Sequence, residues 1–200
     1  PPAALKKIVR GVPDAAHLAW TPGIDWRQLE ALADTGLNGV FASAPWWDGR
    51  AGWYAEEHER LRRIAPIIVP MEVPFGERIA ARAATPEMRA DLARHAARIA
   101  AATGNGWLMP MGFERLATRR VDARSVPADL GEAPGGDISA DIKALGATYG
   151  RALDLRGQMV SLTGAAAQVS VLGRVDAPDT RDAKAGVAIM INTDLVSDAD

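Results

Sequence analysis

Two stretches of this chain decide its fold: residues 36–48 are GLNGVFASAPWWD, and residues 65–78 are APIIVPMEVPFGER. Each begins with a short apolar run typical of a strand and continues into a loop rich in Pro, Trp or acidic residues. Between them, Trp53–Ile64 has a helical pattern with Arg and Glu on one face. A strand, a helix and a second strand in this order predict a β–α unit over a parallel sheet.

The same alternation extends over about the first 115 residues. Strands are predicted at Ala16–Trp20, Gly39–Ser43, Pro66–Val69 and Gly106–Pro110. Helices are predicted at Leu5–Arg10, Trp26–Thr35, Trp53–Ile64 and Pro86–Ala102. This alternation suits a doubly wound sheet or a (β/α)₈ barrel. No G-x-G-x-x-G or P-loop follows a strand, whereas bulky and polar groups do, so the barrel is favoured.

After residue 115 the pattern changes. Residues Ala117–Gly136 are rich in Pro, Gly and charge and predict a loop, and a helix is expected from Asp137 or Ser139 to about Leu155. Gln168–Val175 and Gly186–Asn192 predict a β-hairpin of a separate domain. A complete barrel needs about 250 residues. We therefore expect an α/β fold: the C-terminal half of a barrel over residues 1–155, and the start of an all-β domain over residues 156–200.

The composition excludes several classes of function. The 200 residues hold 23 Lys and Arg against 25 Asp and Glu, for a net charge of −2, so nucleic acid and anionic membranes are not expected partners. No apolar run is long enough to span a membrane, and no cysteine is present, which fits a reducing compartment. We expect a cytoplasmic protein. Because the chain opens at Pro1 without Met, we also expect it to be part of a longer polypeptide.

Metal and cofactor chemistry is not indicated. His17, His58 and His95 are scattered without H-E-x-x-H spacing, so they are expected at the surface or at helix caps, and no cofactor is implied. The mixed charges of residues 56–63 are most simply a solvated helix face with i,i+3 and i,i+4 ion pairs.

Tryptophan and paired carboxylates are the remaining candidates for function. Trp46 and Trp47 offer indole faces on which sugar rings stack, although packing against the loops explains them equally well. The other Trp residues are expected to pack: Trp20, Trp26, Trp53 and Trp107. Glu72 and Glu77 flank the end of the third strand, where a glycosidase acid or base could stand. Glu77 could instead begin the next helix, where an acidic residue is favourable.

These stretches resemble a known family. Residues 36–48 are similar to the pattern G-F-D-Y-L-F-N-S-x-x-W-W-D, and residues 65–78 to A-P-x-I-x-F-P-E-S-H-D-T-E-R. These patterns lie on barrel strands six and seven of the α-amylase superfamily, glycoside hydrolase family thirteen, in the branch of the α-1,4-glucan:maltose-1-phosphate maltosyltransferases. Residues 100–114 are similar to its strand-eight region, and Ala188–Asn192 to the V-V-V-N strand of its C-terminal β domain. The resemblance implies maltosyl transfer from maltose 1-phosphate to α-1,4-glucan by the whole protein.

The departures from the family pattern bear on the mechanism. Pro74-Phe75 stands where the family has the His-Asp pair that stabilises the transition state, and Trp20 aligns with its general acid. Retaining transfer needs two carboxyl groups about 5–5.5 Å apart. The resemblance therefore implies a barrel without catalytic residues that supports an α-glucan-active partner domain.

The same resemblance implies which residues contact substrate, and it leaves other functions open. α-Glucan or maltooligosaccharide and the remaining domains of the parent chain are the expected partners. The expected contact residues are Trp46, Trp47, Asp48, Glu72 and Arg78. Two alternatives stay open: an enzyme with an altered acid or base, such as Glu72 or Glu77, and a purely structural interaction module.

Overall fold

Four short strands form a parallel sheet in the computed structural model, which describes residues 2–126, 128, 136–149 and 156–194. The strands are β1 Leu18–Ala19, β2 Gly39–Phe41, β3 Ile67–Pro70 and β4 Gly106–Leu108. Their spatial order β1-β2-β3-β4 follows the chain, with Val40 opposite Ile67 and Ile68 opposite Gly106. A doubly wound sheet reverses its strand order at a switch point. The uniform order is instead compatible with part of a barrel.

Five helices accompany the strands among the described residues. They are α1 Pro2–Gly11, α2 Trp26–Glu30, α3 Trp53–Leu61, α4 Pro86–Thr103 and α5 Ser139–Tyr149. Helix α4 begins where sequence reasoning predicted, because the Thr85 hydroxyl accepts the Met88 N–H and Pro86 occupies the first turn. Helix α2 is shorter than predicted: turns follow it, and Asp34 and Gly36 both have positive φ, which a helix excludes.

The smaller sheet is antiparallel. Its strands are β5 Met159–Ser161, β6 Val169–Val175 and β7 Gly186–Asn192, in that order. The predicted hairpin is confirmed, with Val169 opposite Asn192 and Val175 opposite Gly186. Strand β5 was not predicted, because three residues are too few to show an alternating pattern. The predicted loop 117–136 and the predicted end of α5 near residue 155 lie partly outside the described residues.

The core lies between the parallel sheet and its helices. Val40, Ile67 and Val69 point to the same face of the sheet and are fully buried. The side of α4 that packs here carries small residues, including Ala93 and Ala97. Small side chains let a helix approach a sheet closely. The backbone of α4 therefore lies near the sheet, and the β-branched residues of the strands fill the contact.

A buried arginine joins the smaller sheet to the end of helix α4. Arg174 of β6 is 2% exposed, and its Nη1 donates to the carbonyl oxygens of Ala102 at 2.9 Å and Gly104 at 2.8 Å. These carbonyls end helix α4, where the helix dipole is negative and favours a cation. Burial lowers the pKa of Arg174 to about 10, so the guanidinium remains charged at neutral pH.

His58 corrects an expectation, since it lies inside this junction and not at the surface. It is 1% exposed, and its Nε2 donates to the Thr103 carbonyl oxygen at 3.2 Å. Burial and the nearby charge of Arg174 lower the pKa of His58 to about 3. The imidazole is therefore neutral in the folded protein over the physiological range.

We predict that His58 makes stability depend on pH. Its pKa is near 6.5 in an unfolded chain and about 3 when folded, so the unfolded state binds more protons between these values. The free energy of unfolding therefore falls as pH drops from about 6.5 towards 3. In His58→Gln, whose amide can still donate to Thr103, thermal melts from pH 7 to pH 4 should show a smaller loss of Tm. Parallel Tm curves for the two proteins would contradict this.

Candidate functional site

Helix α3 holds the loop that follows β2. The loop contains a 3₁₀ turn, Ala44–Trp46, which Ser43 precedes without capping it through its side chain. The Ser43 backbone N–H donates to Glu57 Oε2 at 2.9 Å, and its hydroxyl donates to Oε1 at 2.6 Å. Burial raises the pKa of Glu57, while both hydrogen bonds oppose this by favouring the carboxylate. Glu57 is therefore not part of a solvated face, as the charge pattern had suggested; it is a loop anchor.

Trp47 and Asp48, the two residues that follow the 3₁₀ turn, are also held in place. Trp47 stacks on Tyr54 with ring centroids 4.7 Å apart, and its Nε1–H donates to the Ala51 carbonyl oxygen at 2.8 Å. The Asp48 Oδ1 accepts the backbone N–H groups of Arg50 and Ala51 at 2.9 and 2.8 Å. These hydrogen bonds lower the pKa of Asp48, so its carboxylate is charged at neutral pH.

An apolar groove opens at the carboxyl ends of β1, β2 and β3. Trp20, Trp46 and Phe75 project into it and are 44%, 51% and 70% exposed. Trp20 meets Trp46 edge-on, with ring centroids 6.4 Å apart. The remaining lining is apolar or glycine: Pro22, Gly23, Val73, Pro74 and Gly76. We call this surface the aromatic groove.

The tryptophans thus divide differently from the expectation. Trp46 is open to solvent, as stacking on a sugar ring requires. Trp47 packs against Tyr54, as a structural role requires. Trp20, Trp26 and Trp53 were expected to pack, yet each is more than one-third exposed.

A buried ion pair lies beside the groove, in the loop after β3. Arg78 Nη2 is 2.8 Å from Glu72 Oε1, and the two side chains are 1% and 3% exposed. Glu72 Oε2 also accepts the Ile79 backbone N–H at 2.9 Å, and Arg78 Nη1 donates to the Met111 carbonyl oxygen at 3.0 Å. Burial raises the pKa of Glu72, although these partners favour its charged form.

A second concavity, of about 220 Å³, lies between the loops after β2 and β3, helix α4 and the end of the β7 segment. Its polar and charged lining residues are Asp48, Glu72, Glu77, Arg82, His95 and Thr193. Thr193 belongs to the smaller sheet's end of the chain and accepts a hydrogen bond from Arg50 Nε at 2.5 Å. We call this concavity the junction cleft.

The five predicted contact residues are therefore separated. Trp47, Asp48 and Glu72 line the junction cleft, Trp46 lines the aromatic groove, and Arg78 is buried against Glu72. Sequence reasoning missed His95 and Thr193, because they lie far from the strand-end motifs along the chain. Glu77 and Arg82 pair at 3.3 Å. The residues after Glu77 and Arg78 form a 3₁₀ turn, Ile79–Arg82, in place of the expected α-helix.

Within the described residues no group of three or more acidic or metal-ligating side chains is arranged to hold a metal ion. No described helix is both long and apolar enough to cross a membrane.

Comparisons with known proteins show which family this chain resembles. No protein-family model matches the chain. A parallel sheet with aromatic and acidic loops at its carboxyl edge is compatible with part of an α-amylase-type barrel. The chain is 37% identical over 207 residues to the α-1,4-glucan:maltose-1-phosphate maltosyltransferase of Burkholderia pseudomallei (strain K96243), and the match covers 98% of this chain. It spans 18% of the length of that curated relative. The resemblance to the maltosyltransferase branch is thereby confirmed.

We predict that the Glu72–Arg78 pair is needed for stability. In Glu72→Gln the buried Arg78 charge loses its partner, which should lower the free energy of unfolding by about 3 kcal/mol. The double variant Glu72→Gln/Arg78→Met removes the stranded charge and should recover part of that loss. Chemical denaturation measures both changes.

The exposed pair Glu77–Arg82 is the matched control. Glu77→Gln should cost less than about 1 kcal/mol, because water screens the charges. Equal losses for Glu72→Gln and Glu77→Gln would contradict a special role for the buried pair.

Proposed function

We propose that these residues form the C-terminal half of an α-amylase-like barrel, over residues 1–155, and the start of a β domain, over residues 156–200. They would belong to a cytoplasmic polypeptide that transfers maltosyl units from maltose 1-phosphate to α-1,4-glucan. In this proposal the barrel itself does not catalyse the transfer. It contacts α-glucan through residues of its strand-end loops and supports catalysis elsewhere in the polypeptide.

One observation carries the proposal that this barrel is not catalytic. The positions that align with the family's acid and stabilising pair are Trp20 and Pro74-Phe75. They line the aromatic groove, which has no ionisable side chain among its described lining residues. Two carboxylates flank these positions in sequence: Glu72 is buried and paired with Arg78, and Glu77 is exposed and paired with Arg82. Neither an indole nor a phenyl ring can protonate a glycosidic oxygen or bear the charge that the reaction requires.

The uncovered face of the sheet supports the proposed barrel. An added Cβ at Gly39 would lie 2.8 Å from Ile68 and 2.9 Å from Leu18, so these side chains share the face opposite Val40. Leu18 is 52% exposed there, while Val40 is fully buried beneath the helices. Parallel sheets occur with both faces covered. Further strands closing a barrel would cover this apolar face.

The aromatic groove supports the proposed glycan contact. A sugar ring has an apolar C–H face that stacks on an indole, and Trp46 is the exposed indole fixed by an anchored turn. Because Glu57 and Tyr54 already hold this loop, little conformational freedom would be lost when a glucan binds.

We predict that catalysis does not depend on the local carboxylates. In the full polypeptide, Glu72→Gln and Glu77→Gln should lower maltosyl-transfer kcat only in proportion to the loss of folded protein. An enzyme that used either residue as acid or base would lose about 10²–10⁴-fold in kcat. Burial raises the Glu72 pKa, as a general acid requires, so this experiment also tests the alternative of an altered active site. A loss of that size in folded protein would overturn the proposal.

We also predict that Trp46→Ala weakens binding of maltoheptaose about tenfold, because the apolar C–H face of a sugar ring loses the indole surface that would cover it, at roughly 25 cal/mol per Å². Titration calorimetry on the full polypeptide measures the affinity. The control is Trp26→Ala, since Trp26 is 44% exposed against 51% for Trp46 but pairs with Arg27 outside the groove. Unchanged affinity in Trp46→Ala would favour a purely structural interaction module.

A further inference from the structure

We propose that the junction cleft is a separate binding site for one neutral sugar unit, recognised by Asp48 and His95. The inference rests on the proposed glycan contact and adds a second place for it. The aromatic groove offers only stacking surfaces, whereas the junction cleft combines apolar walls with polar groups that have unused hydrogen-bonding capacity.

The size of the cleft limits the ligand. Its volume is about 220 Å³, below the roughly 300–1,000 Å³ of pockets that take drug-sized molecules. A single sugar ring at the end of a chain suits this space better than a run of several rings. The walls come from two strand-end loops, helix α4 and Thr193, so the cleft exists only where the two sheets meet.

Two polar side chains in the cleft are available to a ligand. Asp48 uses Oδ1 for the two backbone N–H groups, and Oδ2 has no hydrogen-bond partner among the described residues. His95 is half-buried on α4 and likewise makes no hydrogen bond or ion pair there. Burial and the charge of Arg98 lower the pKa of His95, so the neutral ring presents one donor and one acceptor. Hydroxyl groups both donate and accept, so those of one sugar ring can pair with each of these side chains.

The charges around the cleft balance one another. Arg78 lies 2.8 Å from Glu72, and Arg82 lies 3.3 Å from Glu77. Arg50 donates to the lining residue Thr193, and its charge acts on Asp48. The cleft therefore has no surplus positive charge to bind the phosphate of a phosphorylated sugar. An uncharged polyol suits this lining better than the phosphate-bearing donor.

The apolar part of the lining completes the match to a sugar. Trp47, Ala96 and Ile99 line the same cleft. Their carbon surfaces can cover the C–H face of a pyranose while hydroxyl groups at its rim reach Asp48 and His95. Residues from α4 and from the strand-end loops thus contribute complementary halves of the proposed site.

The test is calorimetric titration of maltose into the full polypeptide, with variants matched to each contact. Asp48→Asn keeps the Oδ1 acceptor of the turn and removes the charge, and His95→Ala removes the imidazole. Each should weaken one class of maltose sites about tenfold, since a hydrogen bond to a charged or buried group is lost. His95→Gln, which keeps a donor and an acceptor, should restore affinity to within about threefold. Inorganic phosphate should not compete.

The outcomes separate this inference from the proposed function. If Asp48→Asn and His95→Ala leave maltose affinity unchanged while Trp46→Ala weakens maltoheptaose binding, the cleft site is overturned and the groove contact stands. If the cleft variants weaken maltose binding and Trp46→Ala changes nothing, the cleft is the glycan site and the groove contact fails. Competition by inorganic phosphate would overturn the assignment to a neutral ligand.

Discussion

The buried ion pair between Glu72 and Arg78 organises the carboxyl edge of the parallel sheet. Glu72 also accepts the Ile79 N–H, and Arg78 also donates to the Met111 carbonyl, so the pair connects the loop after β3 with the turn after β4. The network around the pair is incomplete, because Arg78 Nε is buried with no hydrogen-bond partner among the described residues. Because Arg78 balances the charge of Glu72 in the interior, this carboxylate does not reach the surface. The neighbouring residues Pro74 and Phe75 form an apolar surface there.

The two concavities differ because consecutive residues of one loop point in different directions. Trp46 ends a 3₁₀ turn and faces the aromatic groove, whereas Trp47 turns back onto Tyr54 and Asp48 closes the loop towards α4. Helix α3 enforces this division through Glu57 and Tyr54. The smaller sheet then reaches the same loop through Thr193. The geometry of the junction cleft consequently depends on how Arg174 holds the smaller sheet against the end of α4.

Sequence patterns predicted the elements that have long, periodic or capped segments. The four parallel strands, helix α4 with its Thr85 cap and the β6–β7 pair follow from apolar runs and turn residues. What failed was burial of polar residues: His58 and Glu57 lie among charged neighbours in sequence, yet tertiary contacts with Thr103 and Ser43 bury one and anchor the other. Partners 45 and 14 residues away along the chain leave no local pattern. The junction cleft escaped prediction for the same reason, since α4 and Thr193 join it only through folding.

The exposed aromatic side chains constrain what the groove can do. Trp20, Trp46 and Phe75 together present a continuous apolar surface, and soluble proteins rarely expose such a surface unless a ligand or another part of the protein covers it. In the proposed function the groove takes no part in the chemistry, because retaining transfer requires carboxylates. A glucan stacked on Trp46 would then cover part of this apolar surface, and further strands would cover Leu18.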